Sequence, residues 1–155
     1  MRKIDRSKLA YRKAVTGYVV DGDDNFLMIQ NVVYRENDWR APGGGIHDGE
    51  TAEEALMREL YEELGIDEFE IIAKSKHKDK YDWSEEYVKM RGDWRGQIRT
   101  QFLVKFKGKK SDIKIDKKEI KKAKWIPFTE LSNYLNMPGQ LLSTRKTLKE
   151  FGFSL

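Results

Sequence analysis

Three glutamates, Glu59, Glu62 and Glu63, fall within the eight residues RELYEELG (58–65). Carboxylates gathered this closely repel one another unless a cation stands among them, so their spacing is a chemical question first. Hard oxygen donors of this kind suit Mg²⁺, with Mn²⁺ as a substitute, and such ions keep waters of their own and commonly hold a substrate phosphate too. Nearby Lys or Arg side chains could neutralise the same charges instead, and Arg58 is adjacent.

The surrounding residues define the element that must carry these groups. In GGGIHDGETAEEALMRELYEELGI, Thr51 and Glu54 have the spacing of a capping box, and Gly65 is placed to end a helix in the left-handed conformation. The pattern predicts a helix from about Ala52 to Leu64. At 100° per residue with Leu56 at zero, Ala52, Leu60 and Leu64 fall at about −40°, 40° and 80°, forming the apolar stripe. Glu63 falls at about −20°, Glu59 at about −60° and Glu62 at about −120°. One carboxylate therefore lies inside the stripe and a second at its edge. A buried carboxylate without a partner would take up a proton, and a divalent cation removes that difficulty.

The rest of the chain supplies strands. AVTGYVVD and NFLMIQNVV, separated by GDD, read as a hairpin. WRAPGGG leads from a short extended segment into the glutamate-rich helix, and FEIIAKSK is a further strand. TQFLVKFKG alternates Phe102, Val104 and Phe106 on one face, the pattern of a half-buried strand. AKWIPF reads as a short strand stopped by Pro127, followed by a helical start at TELSNYL. Leu141, Leu142, Leu148 and Phe151 give the tail the form of a closing amphipathic helix. Strands on both sides of a central helix in one short chain point to an α/β sandwich with a mixed sheet.

A chain of 155 residues has the length of a single domain, here residues 1–155. With 39% hydrophobic and 36% charged residues, its composition is that of a globular protein with a well-charged surface. No apolar run is long enough to span a membrane, and the basic start MRKIDRSKLAYRKA lacks the apolar core of a signal peptide. The lack of cysteine excludes a disulfide framework and a thiolate metal site. The expected location is cytoplasmic, and no obligate protein partner is evident. A net charge of +4 favours anionic partners despite the acidic cluster.

Gly44, Glu50, Arg58, Glu59, Leu60, Glu62, Glu63, Gly65 and Ile66 match every defined position of the Nudix box, and the chain resembles the Nudix hydrolases. The resemblance implies an α/β/α sandwich, divalent-metal dependence, and hydrolysis of a diphosphate linked to another group. It implies Glu59, Glu62 and Glu63 as metal ligands, aided by a backbone carbonyl of Gly43–Gly45, centred on Gly44. Arg58 and Glu50 would hold the helix and the glycine loop in register. YRKAVTGYVV, DWRAPGGGI, YDWSEEYVKMRGDWRGQ and QFLVKFKG further resemble the branch containing RNA 5′-pyrophosphohydrolases and dinucleoside tetraphosphate hydrolases. Three departures stand out: Gly43 where relatives often have Gln, Ser84 where Pro is common, and GQIRTQF where a more basic, aromatic segment is usual. They bear on base stacking and substrate choice and leave the metal chemistry intact.

From the same resemblance, Glu119, a few residues before KWIPF, is a further carboxylate that would act as metal ligand or base, or is an ordinary surface acid. Arg12 matches a phosphate-facing arginine and Gln97 a polar residue near the substrate. Tyr81, Trp83 and Trp94 lie in what reads as a long irregular region, where their rings could stack on a nucleobase or pack in the core. His47 and His77 have no partner at ligand spacing. Ten lysines between Lys105 and Lys124 form either a solvated face or a surface for a long anionic substrate. The leading expectation is removal of pyrophosphate from the 5′-triphosphate end of RNA. Asymmetric hydrolysis of diadenosine tetraphosphate to ATP and AMP, house-cleaning of nucleoside triphosphates, and a non-catalytic nucleotide- or RNA-binding module follow in that order.

Overall fold

The structure is a computed structural model that describes residues 5–91 and 94–154. Residues 92 and 93, inside YDWSEEYVKMRGDWRGQ, lie outside the described residues, as does the start of the basic N-terminal stretch. In chain order the elements are β1 (Ala10–Val20), β2 (Asn25–Asn31), β3 (Gly43–Gly45), α1 (Ala52–Leu64), β4 (Phe69–Asp82), α2 (Glu85–Arg91), β5 (Trp94–Phe106), β6 (Ile120–Pro127) and α3 (Gln140–Glu150). A 3-10 turn at Phe128–Tyr134 links the last two.

The sheet runs β4-β5-β1-β2-β6, with the short β3 also paired to β1. β1 and β5 are parallel and the other pairs antiparallel, so the sheet is mixed as expected. The expected hairpin needs correction. β1 and β2 do follow one another around a tight turn, but their register holds only Val20 opposite Phe26. Beyond that pair the strands part and the segment 40–46 fills the gap. Arg40 exchanges both backbone hydrogen bonds with Ile29 of β2, at 2.8 and 2.9 Å, while Gly43–Gly45 pair with Ala14–Thr16 of β1. Backbone groups that would be orphaned by the splay are thereby satisfied.

Successive side chains of β1 point to opposite faces, which divides the interior into two layers. Val15 and Val19 pack with Leu27, Ile29, Phe102 and Val104 against α1. Tyr18 and Val20 pack with Phe26, Met28, Leu103 and Ile126 beneath the C-terminal elements, including Leu131 and Leu148. Strand β5 is therefore not half-buried: Phe102, Val104 and Phe106 share one face as expected, which packs against α1, and Gln101 and Leu103 are buried on the opposite face. In α3 the buried residues are Thr144, Thr147 and Leu148, whereas Leu142, expected on the apolar face, is 72% exposed. The α3 end is fixed to β4 by Glu150, whose carboxylate accepts from the Ser75 hydroxyl at 2.5 Å and the Lys76 amide at 2.6 Å.

Helix α1 lies close over β1 because Gly17 leaves room: a methyl there would stand 2.9 Å from a Leu56 methyl. Leu56, Leu60 and Leu64 are fully buried, worth roughly 5–9 kcal/mol of transfer free energy together. That burial holds the glutamates of the same helix against the glycine strand and offsets the cost of placing a carboxylate inside.

Candidate active site

Both ends of α1 are set by local chemistry. The Thr51 hydroxyl accepts from the Glu54 amide and the Glu54 carboxylate accepts from the Thr51 amide, each at 3.1 Å, while Gly65 ends the helix at φ 72°. Along the helix the three glutamates meet different surroundings. Glu63 is 2% exposed; one carboxylate oxygen accepts from the Gly43 amide at 2.9 Å and the other from the Arg40 guanidinium. Glu59 lies against Gly44, so closely that a methyl at Gly44 would overlap its carboxylate, and it pairs with Arg58 at 3.0 Å. Glu62 is half exposed, with Arg58 at 3.3 Å. In these rotamers the carboxylates face arginines, and among the described residues no three acidic or histidine side chains enclose a common point.

Burial, and then the charge of Glu63, push the Glu59 carboxyl up to about 7. Burial also raises Glu63, opposed by Arg40 and the Gly43 amide. Glu119, exposed at the mouth of β6, is near enough for its charge to add to that upward pressure. Two adjoining carboxyls are thus held in surroundings that disfavour their negative charge, which additional positive charge would relieve.

Arg58 joins helix and glycine strand. It donates to Glu50 at 2.7 and 2.9 Å and to the Gly45 carbonyl at 2.8 Å. The Glu50 carboxyl is held down at about 2 by Arg58 and by the His47 amide. His47 is otherwise exposed, as is His77 on β4.

Arg12, Gln97 and Tyr81 come from three strands and form one hydrogen-bonded chain. Arg12 donates to the Gln97 carbonyl at 2.9 Å, and the Gln97 amide donates to the Tyr81 hydroxyl at 2.9 Å. The parallel register of β1 and β5 sets Arg12 opposite Gln97, and the antiparallel register of β4 and β5 sets Tyr81 opposite Gln97. Arg12 also abuts Gly45, where an added methyl would collide with its guanidinium. Burial, and then the neighbouring charge of Arg91, lower the Arg12 pKa.

Gln97 and Tyr81 open onto a cleft of about 480 Å³, also lined by Thr16, Tyr34, Arg40 and the Asp79–Arg99 ion pair. The aromatic expectation is corrected in part. Tyr81 and Trp94 belong to regular strands, and the intervening segment contains α2. Tyr81 lines the cleft, whereas Trp83 packs edge-on against Tyr87 at 4.7 Å between ring centroids. The lysines from Lys105 to Lys124 are exposed, and none lines the cleft.

Sequence reasoning did not single out Arg40, Tyr34 or Arg99. Arg99 could have been found from strand period, since it shares a face with Gln97. Arg40 carried a weaker signal, as a cation three residues ahead of the glycine run.

Residues 10–149 match the family profile described as NUDIX domain. The chain is 34% identical to an RNA pyrophosphohydrolase of Sphingopyxis alaskensis, covering 96% of this chain and 98% of that protein. It is 32% identical to one from Rickettsia canadensis, covering 92% and 91%. Among solved structures, the E. coli dihydroneopterin triphosphate pyrophosphohydrolase superposes with a TM-score of 0.70 at 18% identity, covering 90% of this chain and 99% of that one. A C. elegans Ap4A hydrolase superposes with a TM-score of 0.64 at 19% identity, covering 90% and 99%.

Proposed function

Because the chain belongs to the Nudix hydrolases, enzymes that need a divalent metal and cut phosphoanhydride bonds, we propose that it uses Mg²⁺ to remove pyrophosphate from the triphosphorylated 5′ end of RNA. The observation that carries this reading is the junction at Arg40 and Gly43. Both bond Glu63, and Arg40 also lines the cleft, so the α1 carboxylates and a nucleotide-sized cavity adjoin.

The donor set fits a hard divalent ion. Glu59, Glu62 and Glu63 would hold it together with a carbonyl of the glycine strand at Gly44, and the two carboxyls pushed upward by burial would gain a counter-charge. When bound, such an ion neutralises phosphate oxygens and lowers the pKa of a coordinated water. Glu119, whose charge is felt at Glu63, would serve as a further ligand or take the proton from the attacking water. Arg58 acts at one remove, keeping Glu59 and the glycine strand in register through Glu50 and Gly45. Arg12, with Gln97 and Tyr81, would bind the phosphate chain and the first nucleoside. One water is consumed, leaving a 5′-monophosphate and pyrophosphate. The setting is cytoplasmic, in accord with a cysteine-free chain.

A second reading, hydrolysis of a dinucleoside tetraphosphate, is favoured by Tyr34 and Tyr81 lining the same cleft, where a base could lie between rings. A side-by-side assay with Mg²⁺ separates the two, with triphosphorylated RNA and diadenosine tetraphosphate at equal concentration and Glu63→Gln as the control for contaminating activity. Preference for RNA supports the first reading and preference for the dinucleotide the second. Turnover of neither, with wild-type protein that binds nucleotide, would leave a binding module.

A further inference from the structure

Arg40 holds two positions at once. Its Nη2 bonds the buried carboxylate of Glu63, and its side chain forms part of the wall of the cleft on the other side. Of its five donors, Nε is taken by the side-chain oxygen Oδ1 of Asn31 at 3.0 Å, and Nη1 reaches the backbone carbonyls of Ala41 and Gly43 at 3.2 and 3.3 Å. The remaining Nη2 proton has no partner among the described residues, and the contacts at Nη1 are at the long end of hydrogen-bond distance. The head group is thus anchored at Nε, while its outer nitrogens are held only by Glu63 and two weak carbonyl contacts.

On the reading that Glu63 is a metal ligand, the guanidinium stands where it opposes the metal. A guanidinium and a divalent cation cannot share one carboxylate oxygen without repulsion unless an anion comes between them. The cleft beside Arg40 is where the phosphates of a nucleotide would supply that anion.

We propose that Arg40 is an exchangeable counter-ion: it balances Glu63 when the metal is absent, and passes to a phosphate of the nucleotide when the metal takes Glu63. Arg40 thereby couples the two ligands. Metal alone binds against the guanidinium, and metal with nucleotide binds with it. A fork-shaped cation suits this exchange because carboxylate and phosphate present the same pair of acceptors to it. The coupling is reciprocal, so nucleotide must tighten metal by the factor by which metal tightens nucleotide.

The test is calorimetry on the folded, metal-stripped protein at about pH 8, above the ordinary carboxylate range. Mn²⁺ is titrated alone and then in the presence of α,β-methylene-ATP, which resists cleavage at the α,β bond. Wild type is compared with Arg40→Ala and with Arg40→Gln, whose amide retains a donor for Asn31; the second variant carries the comparison should the first not fold. The expected result is opposite signs. Mn²⁺ alone binds the variants about 3- to 10-fold more tightly than wild type, the analogue binds their Mn²⁺ form at least about 10-fold more weakly, and the coupling between the two ligands falls. A merely structural arginine would weaken both. Unchanged or weakened Mn²⁺ affinity in the folded variants overturns the exchange while leaving the metal-site reading intact. Failure of wild type to bind Mn²⁺, with and without the analogue, removes that reading and this inference together.

Discussion

The three consecutive glycines of β3 meet three different neighbours, so alanine placed at each in turn should produce three different defects. At Gly43 the added methyl would overlap the Val15 carbonyl oxygen, a backbone atom of the paired strand that cannot step aside. Gly43→Ala should therefore lose stability, by about 3 kcal/mol, as an overpacked core does. At Gly44 the obstacle is the Glu59 carboxylate. Its farther oxygen would stand 2.6 Å from the new carbon, against 3.4 Å or more for an ordinary contact, so the carboxylate must retreat by about 1 Å. A side-chain end can make that movement and the fold survives, but the carboxylate proposed to hold the metal has left its place. A displacement of this size costs on the order of 10²-fold in turnover, about 2.7 kcal/mol of transition-state free energy, and should weaken Mg²⁺ binding as well. At Gly45 the obstacle is the Arg12 guanidinium, whose Cζ would stand 2.9 Å away. Loss of its hydrogen bond to Gln97 should raise KM about 10-fold with kcat changed less. Thermal melts of the three variants, Mg²⁺ titrations, and kcat and KM on triphosphorylated RNA read all three defects. If Gly44→Ala keeps wild-type turnover and metal affinity, Glu59 is not required where the structure puts it and the active-site assignment fails.

Arg58→Ala removes the ties to Glu50 and Gly45, and partial exposure limits the loss to about 2 kcal/mol; a urea midpoint unchanged from wild type would show that the network does not brace the helix. The metal-free protein should lose stability as pH rises. Glu59 titrates at about 7 in the fold against an ordinary 4.5, so between those values the folded state holds a proton that the unfolded state has released. The loss, discounted for partial exposure, is about 1–2 kcal/mol and complete above about pH 7; urea melts at pH 5 and 8 check it, and rising stability across that window would contradict the assignment. Saturating Mg²⁺ should flatten the same curve by binding the ionised form. Gln97→Ala, which breaks the chain between Arg12 and Tyr81, should raise KM about 10-fold at nearly constant kcat, whereas a drop in kcat alone would place Gln97 at the reacting bond.

Helix α1 was legible in the residues from Thr51 to Gly65 because everything that defines it acts over four or fewer positions: the cap, the apolar stripe and the terminating glycine. The same periodicity placed Glu63 inside the stripe, where it is buried. Strands announced themselves by composition, yet their partners did not. Which strand lies beside which is settled by competition among backbone hydrogen-bonding groups distant in sequence, and a hairpin pattern at residues 14–33 says nothing of the glycine segment that enters between its arms. That insertion brings Arg40 to Glu63 and sets Gly44 against Glu59. Likewise, the register of β1 with β5 and of β5 with β4 joins Arg12, Gln97 and Tyr81, residues as much as 85 positions apart. Residue types and local spacing fixed the helix and its carboxylates. Long-range strand pairing, driven by the need to satisfy every buried amide and carbonyl, decided which cations meet those carboxylates and where the cleft opens.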